Sequence, residues 1–269
     1  MRVEVQGRSA CVYTGGRAFD PALPTVLMIH GAQQDHSIWG LQSRYLAHHG
    51  YGVLVPDLPG HGRSEGPPCP SVEAMAQWVI ALASACGATR PALVGHSLGA
   101  LVGIEVAGRA PELVSRLAVT GANFPMTVSD ALLSATRDDE PRAIEMINQW
   151  SFSGITHRPG SPGPGFSPFV ANMRLMQRQP AGTLFNDFNA CKAYATGLER
   201  AAAIACPVLH VQAARDVMTP PSTARALVAA TPGAQVATIE GAGHNVMAER
   251  PDAVLRALAA FLSPLKSKT

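Results

Sequence analysis

The stretch Ala92-Leu93-Val94-Gly95-His96-Ser97-Leu98-Gly99-Ala100 reads as a short buried strand, a sharp turn at Ser97 and the start of a helix built from small residues. Gly95-x-Ser97-x-Gly99 is the pattern of a nucleophile elbow. A strand that turns directly into a helix holds the turn residue in strained dihedrals. Side chains at the two flanking positions would collide with it, which explains the glycines. The turn lifts the Ser97 hydroxyl to the top of a sheet and points the N–H of Leu98 at the same spot. A helix N-terminus offers free N–H groups and a positive dipole end, which suit a developing negative oxygen. A Gly-Ser turn also precedes many ordinary helices, so the rest of the chain must supply the partners this chemistry needs.

On either side of the elbow the pattern is strand and helix in alternation. Arg2 to Gln6 and Cys11 to Thr14 form a hairpin around Gly7. Thr25 to Ile29 is a continuous apolar run, the mark of a strand buried on both faces. It ends in His30-Gly31-Ala32-Gln33-Gln34-Asp35, with Trp39 just beyond. Leu41 to His49 suits a helix closed by Gly50, and Tyr51 to Pro56 is a strand running into Asp57-Leu58-Pro59-Gly60-His61-Gly62-Arg63-Ser64. Ser71 to Cys86 is the clearest amphipathic helix, with Ser71 as its N-cap. Leu113 to Thr120, Pro207 to Ala213 and Gln235 to Ile239 are further strands, and Pro251 to Leu262 is a closing helix with proline in its first turn. About eight strands alternating with helices give an α/β fold with a mostly parallel, doubly wound sheet.

The alternation breaks between Phe124 and Arg200. There the helical patterns Arg142 to Trp150 and Ser167 to Gln179 flank a Pro/Gly run, Arg158 to Gly165. The expected organisation is a core of residues 1–123 and 201–269 with an inserted helical lid, 124–200, over the strand ends. The tail from Lys266 to Thr269 is expected to fray.

The chain has 269 residues, 47% hydrophobic and 15% charged, with a net charge of +2. That length supports one large domain with a sizeable core, and the composition argues against disorder. The charge balance leaves no electrostatic footprint for nucleic acid or a membrane surface. Met1-Arg2-Val3-Glu4-Val5 lacks the apolar core of a signal peptide, and no apolar run reaches the length of a membrane span. Five scattered cysteines, none in a C-x-x-C pair, fit a reduced cytoplasmic protein with no zinc site.

A serine hydroxyl is a poor nucleophile until a base takes its proton, and that base is usually a histidine oriented by a carboxylate. His244, in Gly241-Ala242-Gly243-His244, follows the last strand directly. Asp216 follows the strand before it. Parallel strands all end on one edge, so both loops open beside the elbow, where open α/β sheets bind ligands.

Five motifs carry a resemblance to a known family. They are His30-Gly31-Ala32 with Trp39 downstream, Asp57-x-Pro59-Gly60-His61-Gly62-x-Ser64, Gly95-His96-Ser97-Leu98-Gly99, Asp216 before Pro220, and His244 before Glu249 and Pro251. In that order they resemble the α/β-hydrolases along nearly the whole chain, with the triad order Ser, Asp, His. The resemblance implies Ser97 as nucleophile, His244 as general base and then acid, and Asp216 as the orienting carboxylate. It implies an oxyanion hole from the N–H groups of Ala32 and Leu98, with Gln33 as the alternative second donor. A serine at the elbow, where dehalogenase- and epoxide-hydrolase-like members carry aspartate, points away from those two activities. The loop Gly121-Ala122-Asn123 carries no carboxylate, which favours Asp216.

What the resemblance implies is a serine hydrolase of a small or medium carboxylic ester, thioester or lactone, with no metal or organic cofactor and a small molecule as its partner. Carbon–carbon hydrolysis of a ring-cleavage product and cofactor-free perhydrolysis use the same triad, and a non-catalytic binding module is the reading from another class. A basic lid residue gripping a carboxylate (Arg158, Arg174 or Arg178) would favour the carbon–carbon reading. Monomer and homodimer are both open. Candidate pocket residues are Gln33, Trp39, His96, Phe124, Trp150 and Val217. His30, Asp35, Asp57, His61, Arg63 and Glu105 are expected to brace loops or helices, and His48 and His49 to be solvated. Met126, Phe152, Phe166, Phe169, Met173 and Met176 are expected mainly in the lid's own core. His157 and Arg158 are read as a solvated loop that could meet a substrate carboxylate.

Overall fold

A computed structural model describes residues 1–154 and 167–263. The Pro/Gly run, His157, Arg158, Phe166 and the tail 266–269 lie outside the described residues.

Eight strands form one sheet: β1 (Arg2–Val5), β2 (Arg8–Tyr13), β3 (Thr25–Ile29), β4 (Gly52–Pro56), β5 (Ala92–His96), β6 (Arg116–Thr120), β7 (Val208–Ala213) and β8 (Gln235–Ile239). The sheet order is β1-β2-β4-β3-β5-β6-β7-β8. The β1–β2 hairpin pairs antiparallel and joins β4 antiparallel; every pair from β4 to β8 is parallel. The chain moves outward from β3 to β4, then returns to lay β5 on the other side of β3. Loops after β3 and β5 therefore diverge at a switch point, the place where such sheets open a crevice.

Both faces of the sheet are covered, so its central strands are apolar throughout. In β3, Leu27 and Ile29 join the core on one face, and Val26 and Met28 the core on the other. The first face is packed by α2 (Val72–Ala85) and α3 (Leu98–Arg109), the second by α1 (Gly40–His48) and the closing helix Pro251–Leu262. Ser71 caps α2, its hydroxyl accepting the Ala74 N–H. Helix α3 is buried from Leu98 to Gly108, and its small residues permit that depth.

Between β6 and β7 lie five helices among the described residues: α4 (Asp130–Asp138), α5 (Glu140–Ser151), α6 (Pro168–Gln177), α7 (Thr183–Ala193) and α8 (Gly197–Ala202). The sequence reading has two of them, α5 and α6, near these bounds, and α8 continues past residue 200. After β7 come α9 (Pro221–Ala230), the short α10 (Val246–Glu249) beyond β8, and α11 (Pro251–Leu262). Among the described residues no helix is long and apolar enough to cross a membrane.

Candidate active site

Ser97 joins β5 to α3 at φ 53° and ψ −117°, a region that costs a non-glycine residue about 1–3 kcal/mol. The surroundings hold it there. Its N–H donates to the Thr120 carbonyl at 2.9 Å. A Cβ on Gly95 would lie 2.2 Å from the Gly99 carbonyl oxygen, and one on Gly99 would lie 2.4 Å from that of His30. Both contacts are with backbone, so neither position can carry a side chain without moving the helix or the neighbouring strand. Leu98 opens α3, so its N–H has no partner within the helix. Among the described residues, the N–H groups of Leu98 and Ala32 have no protein acceptor.

Two strand-end loops bring Asp216 and His244 together. His244 Nδ1 stands 2.8 Å from Asp216 Oδ2. The carboxylate is fixed from its own loop: Oδ1 accepts the N–H groups of Met218 and Thr219 at 2.8 Å each, and Oδ2 accepts the Thr219 hydroxyl at 2.6 Å. Burial alone would raise this carboxyl; the His244 ring and the Thr219 hydrogen bonds outweigh it and hold the group well below the usual carboxylate range. With Nδ1–H donated to a carboxylate, the basic nitrogen of His244 is Nε2. The backbone around it is fixed as well, with Gly243 N–H on Glu249 at 2.6 Å and Asn245 N–H on the Ser151 carbonyl at 2.9 Å.

Ser97 and His244 share a cavity of about 30 Å³. His96 also lines it. Burial pushes the His96 imidazole down to about 3, so the ring is neutral with a single N–H. The shorter contact takes that proton, Nε2 to the His244 carbonyl at 3.1 Å. The other walls are Ala32, Gln34, Ile147, Ser151, Asn172, Met176, Phe188 and Met218.

Five of the six candidate pocket residues stand elsewhere. Trp39 is fully buried in the sheet core, its Nε1–H on the Ile29 carbonyl at 3.1 Å. Gln33 turns away from Ser97: its N–H goes to Asp187 at 2.9 Å and its amide to Glu140 at 2.8 Å, so it is not available as an oxyanion donor. Phe124 packs edge-on against Tyr194. Trp150 and Val217 face solvent, and their neighbours Ser151 and Met218 line the cavity instead. Of the lid residues read as core, Met176 is a cavity wall.

A model of the alpha/beta hydrolase family matches residues 26–257, most of the chain and every residue of the site. The chain belongs to the alpha/beta hydrolase family. RutD of Klebsiella pneumoniae (strain 342), by name a candidate carbamate hydrolase, is 31% identical over 239 residues, covering 83% of this chain and 85% of that protein. Among solved structures, the enol-lactonase of Burkholderia xenovorans LB400 superposes with a TM-score of 0.87 at 22% identity, over 98% of this chain and all of that one. An esterase from Thermogutta terrifontis gives 0.83 at 21% identity, over 97% of each chain.

In this alpha/beta hydrolase the remaining polar residues hold the site's loops. His30, pushed down to about 4 by burial, accepts the Leu58 N–H on Nε2 at 3.0 Å and donates Nδ1–H to the Gly31 carbonyl. Asp57 accepts from His36 and from the Arg63 N–H. Asp35 caps the turn at 36–39 and pairs with Arg178. Glu105 on α3 binds Arg109, Arg200 and Tyr194. Arg174 bonds Gln177, and His48 and His49 are exposed. Asp187 on α7 is the residue sequence reasoning missed. Fully buried, it accepts the Gln33 N–H and pairs with His61 at 2.8 Å, tying α7 to the loop that presents Ala32. A signal for it exists: Asp187 falls on the apolar stripe of Leu184, Phe188 and Cys191 at helical spacing. A carboxylate there is buried and needs a partner.

Proposed function

We propose that this hydrolase cleaves a small or medium carboxylic ester, thioester or lactone through an acyl-enzyme on Ser97. The observation that carries the reading is one cavity lined by Ser97, by His244 already paired with Asp216, and by Ala32, whose N–H, like that of Leu98 next to Ser97, has no protein acceptor among the described residues.

As the Ser97 oxygen attacks the substrate carbonyl, its proton passes to His244 Nε2. The C–O bond forms, and the carbonyl oxygen takes up negative charge facing the N–H groups of Ala32 and Leu98; a donor so placed typically contributes about 3 kcal/mol. Collapse of the tetrahedral intermediate breaks the bond to the leaving oxygen or sulfur, which takes the proton from His244. Water then attacks the acyl-enzyme, giving its proton to His244, and Ser97 leaves with that proton restored. Asp216 keeps its negative charge throughout and holds the ring. The helices from α4 to α7 act as the lid, and the partner is a small molecule. The names of the relatives agree with this class, since lactones, esters and carbamates all react at a carbonyl carrying a heteroatom. The five free cysteines support a reducing, cytoplasmic setting.

Replacing Ser97 with Ala should lower kcat on 4-nitrophenyl butyrate by about 10⁴-fold or more and abolish labelling by a fluorophosphonate. Wild-type turnover in that variant would overturn the mechanism.

A further inference from the structure

The cavity over Ser97, at about 30 Å³, has room for one or two waters, whereas small-molecule sites run to about 300–1,000 Å³. Space on that scale lies next door. A cleft of about 570 Å³ opens between α1, α6 and the residues that follow His244. Asn172 belongs to both walls. It is one member of a cluster of side-chain amides. Gln34 Nε2, from the loop that carries Ala32, donates to Asn172 Oδ1 at 3.1 Å and to Asn245 Oδ1 at 3.3 Å. Asn172 Nδ2 in turn donates to Asn148 at 2.8 Å. Gln34 faces the inner cavity and Asn245 the outer cleft, so the partition is a latch of neutral amides. It can swing without separating a buried ion pair.

The cleft has a definite chemistry. Ile38, Leu41, Leu175 and Met247 give it apolar walls, while His36, Arg44 and Arg178 line it with basic groups, and among the described residues no carboxylate lines it. The acids that pair with His36 and Arg178 are Asp57 and Asp35, both buried behind that surface. Arg44 is exposed and in no ion pair among the described residues.

We propose that this cleft is the substrate vestibule of Ser97, closed by the Gln34–Asn172–Asn245 latch, and that it selects esters or lactones whose far end carries an acidic group. The proposal rests on the reading of Ser97 as nucleophile. Opening the latch joins the cleft to the reacting centre. The apolar walls then take the substrate body, and the basic rim takes its carboxylate.

Two substitutions of exposed residues test it without disturbing the core. Ala171, on the cleft side of α6, is exposed; Ala171→Trp should slow fluorophosphonate labelling of Ser97 at least about tenfold. The ratio of kcat/KM for mono-4-nitrophenyl glutarate to that for 4-nitrophenyl butyrate should fall about fivefold in Arg44→Glu, and should fall in the native enzyme as salt is raised. Asn172→Ala should raise the labelling rate of a bulky biotinylated fluorophosphonate relative to a small one. Labelling that ignores Ala171→Trp, with probe and substrate ratios unmoved in the other two variants, overturns the vestibule and leaves Ser97 as nucleophile. A native enzyme that neither labels at Ser97 nor turns over either ester overturns both.

Discussion

Ser97, Asp216 and His244 stand on three loops of the sheet, each within a few residues of a strand end. Ile147, Asn172, Met176 and Phe188, which close the same cavity, stand on helices α5, α6 and α7 of the insertion. The two regions are positioned by different physics. Each sheet loop is set by short-range geometry: the glycines of the elbow, the turn that Asp216 caps for itself, the glycines before His244. The insertion is set by long-range contacts, above all Asp187 and Glu140 reaching Gln33 and the amides of α5 and α6 reaching each other. Reacting groups are thus fixed by the sheet, and the space around them by side chains far away in sequence.

The largest expected effect lies on the sheet side. Asp216→Asn should keep the fold, since the turn still has an acceptor oxygen, but it removes the charge that holds His244 in its tautomer. A fall in kcat on the order of 10³–10⁴-fold is expected in steady-state assays. A loss under tenfold would mean that another group orients His244, and the sheet would lose its monopoly on the chemistry.

A smaller effect tests whether the insertion reaches the chemistry at all. Asp187 Oδ2 accepts both the Gln33 N–H and the His61 Nε2–H, and Asp187→Asn removes the charge that strengthens both bonds. The loop carrying Ala32 then loosens, and kcat should drop about tenfold with KM little changed, because the oxyanion donor matters more in the transition state than in the ground state. A loss of stability with unaltered kcat would make Asp187 structural only.

The two regions also differ in their response to acid. His210 on β7 is buried with only a weak contact to Thr231, and desolvation pushes it down to about 4. Between its ordinary pKa of about 6.5 and pH 4 the unfolded chain takes up a proton that the fold refuses, so stability is lost as pH falls. His61 behaves oppositely. Burial would lower it, but the Asp187 charge and hydrogen bond win and raise it, so its contribution is complete below its ordinary pKa and is lost as pH rises through the folded value. Denaturant titrations from pH 7 to pH 4 should show a shallower loss of stability in His210→Gln, by on the order of 3 kcal/mol, and a steeper one in Asp187→Asn. Parallel curves for all three proteins would erase this contrast between sheet and insertion.

The same division decides what could be read from the sequence. β3 and β5 are visible because buried parallel strands are unbroken apolar runs, and α2 because its apolar face and Ser71 cap fall in one window; β8, an edge strand exposed along most of its length, carries a weaker signal. Ser97, Asp216 and His244 are nameable because each lies just beyond the end of a strand of the parallel sheet. Helix α7 is not legible in this way, since its cap is Gly182 with no capping side chain and its buried face includes Asp187. Choosing between Val217 and Met218 needs the loop itself, where Asp216 accepts the Met218 N–H and turns that side chain inward. Trp39 reads in the sequence as a pocket aromatic, but the turn at 36–39 carries it under the loop into the sheet core.

One measurement addresses the central claim directly. The enzyme is mixed with a 4-nitrophenyl ester, quenched in acid within the first turnovers, digested, and the peptide containing Ser97 is weighed. The account predicts that this peptide gains the mass of the acyl group, that the gain disappears when hydroxylamine cleaves the ester, and that Ser97→Ala shows none. Turnover with no acyl group on Ser97, or with the acyl group on another residue, would contradict it.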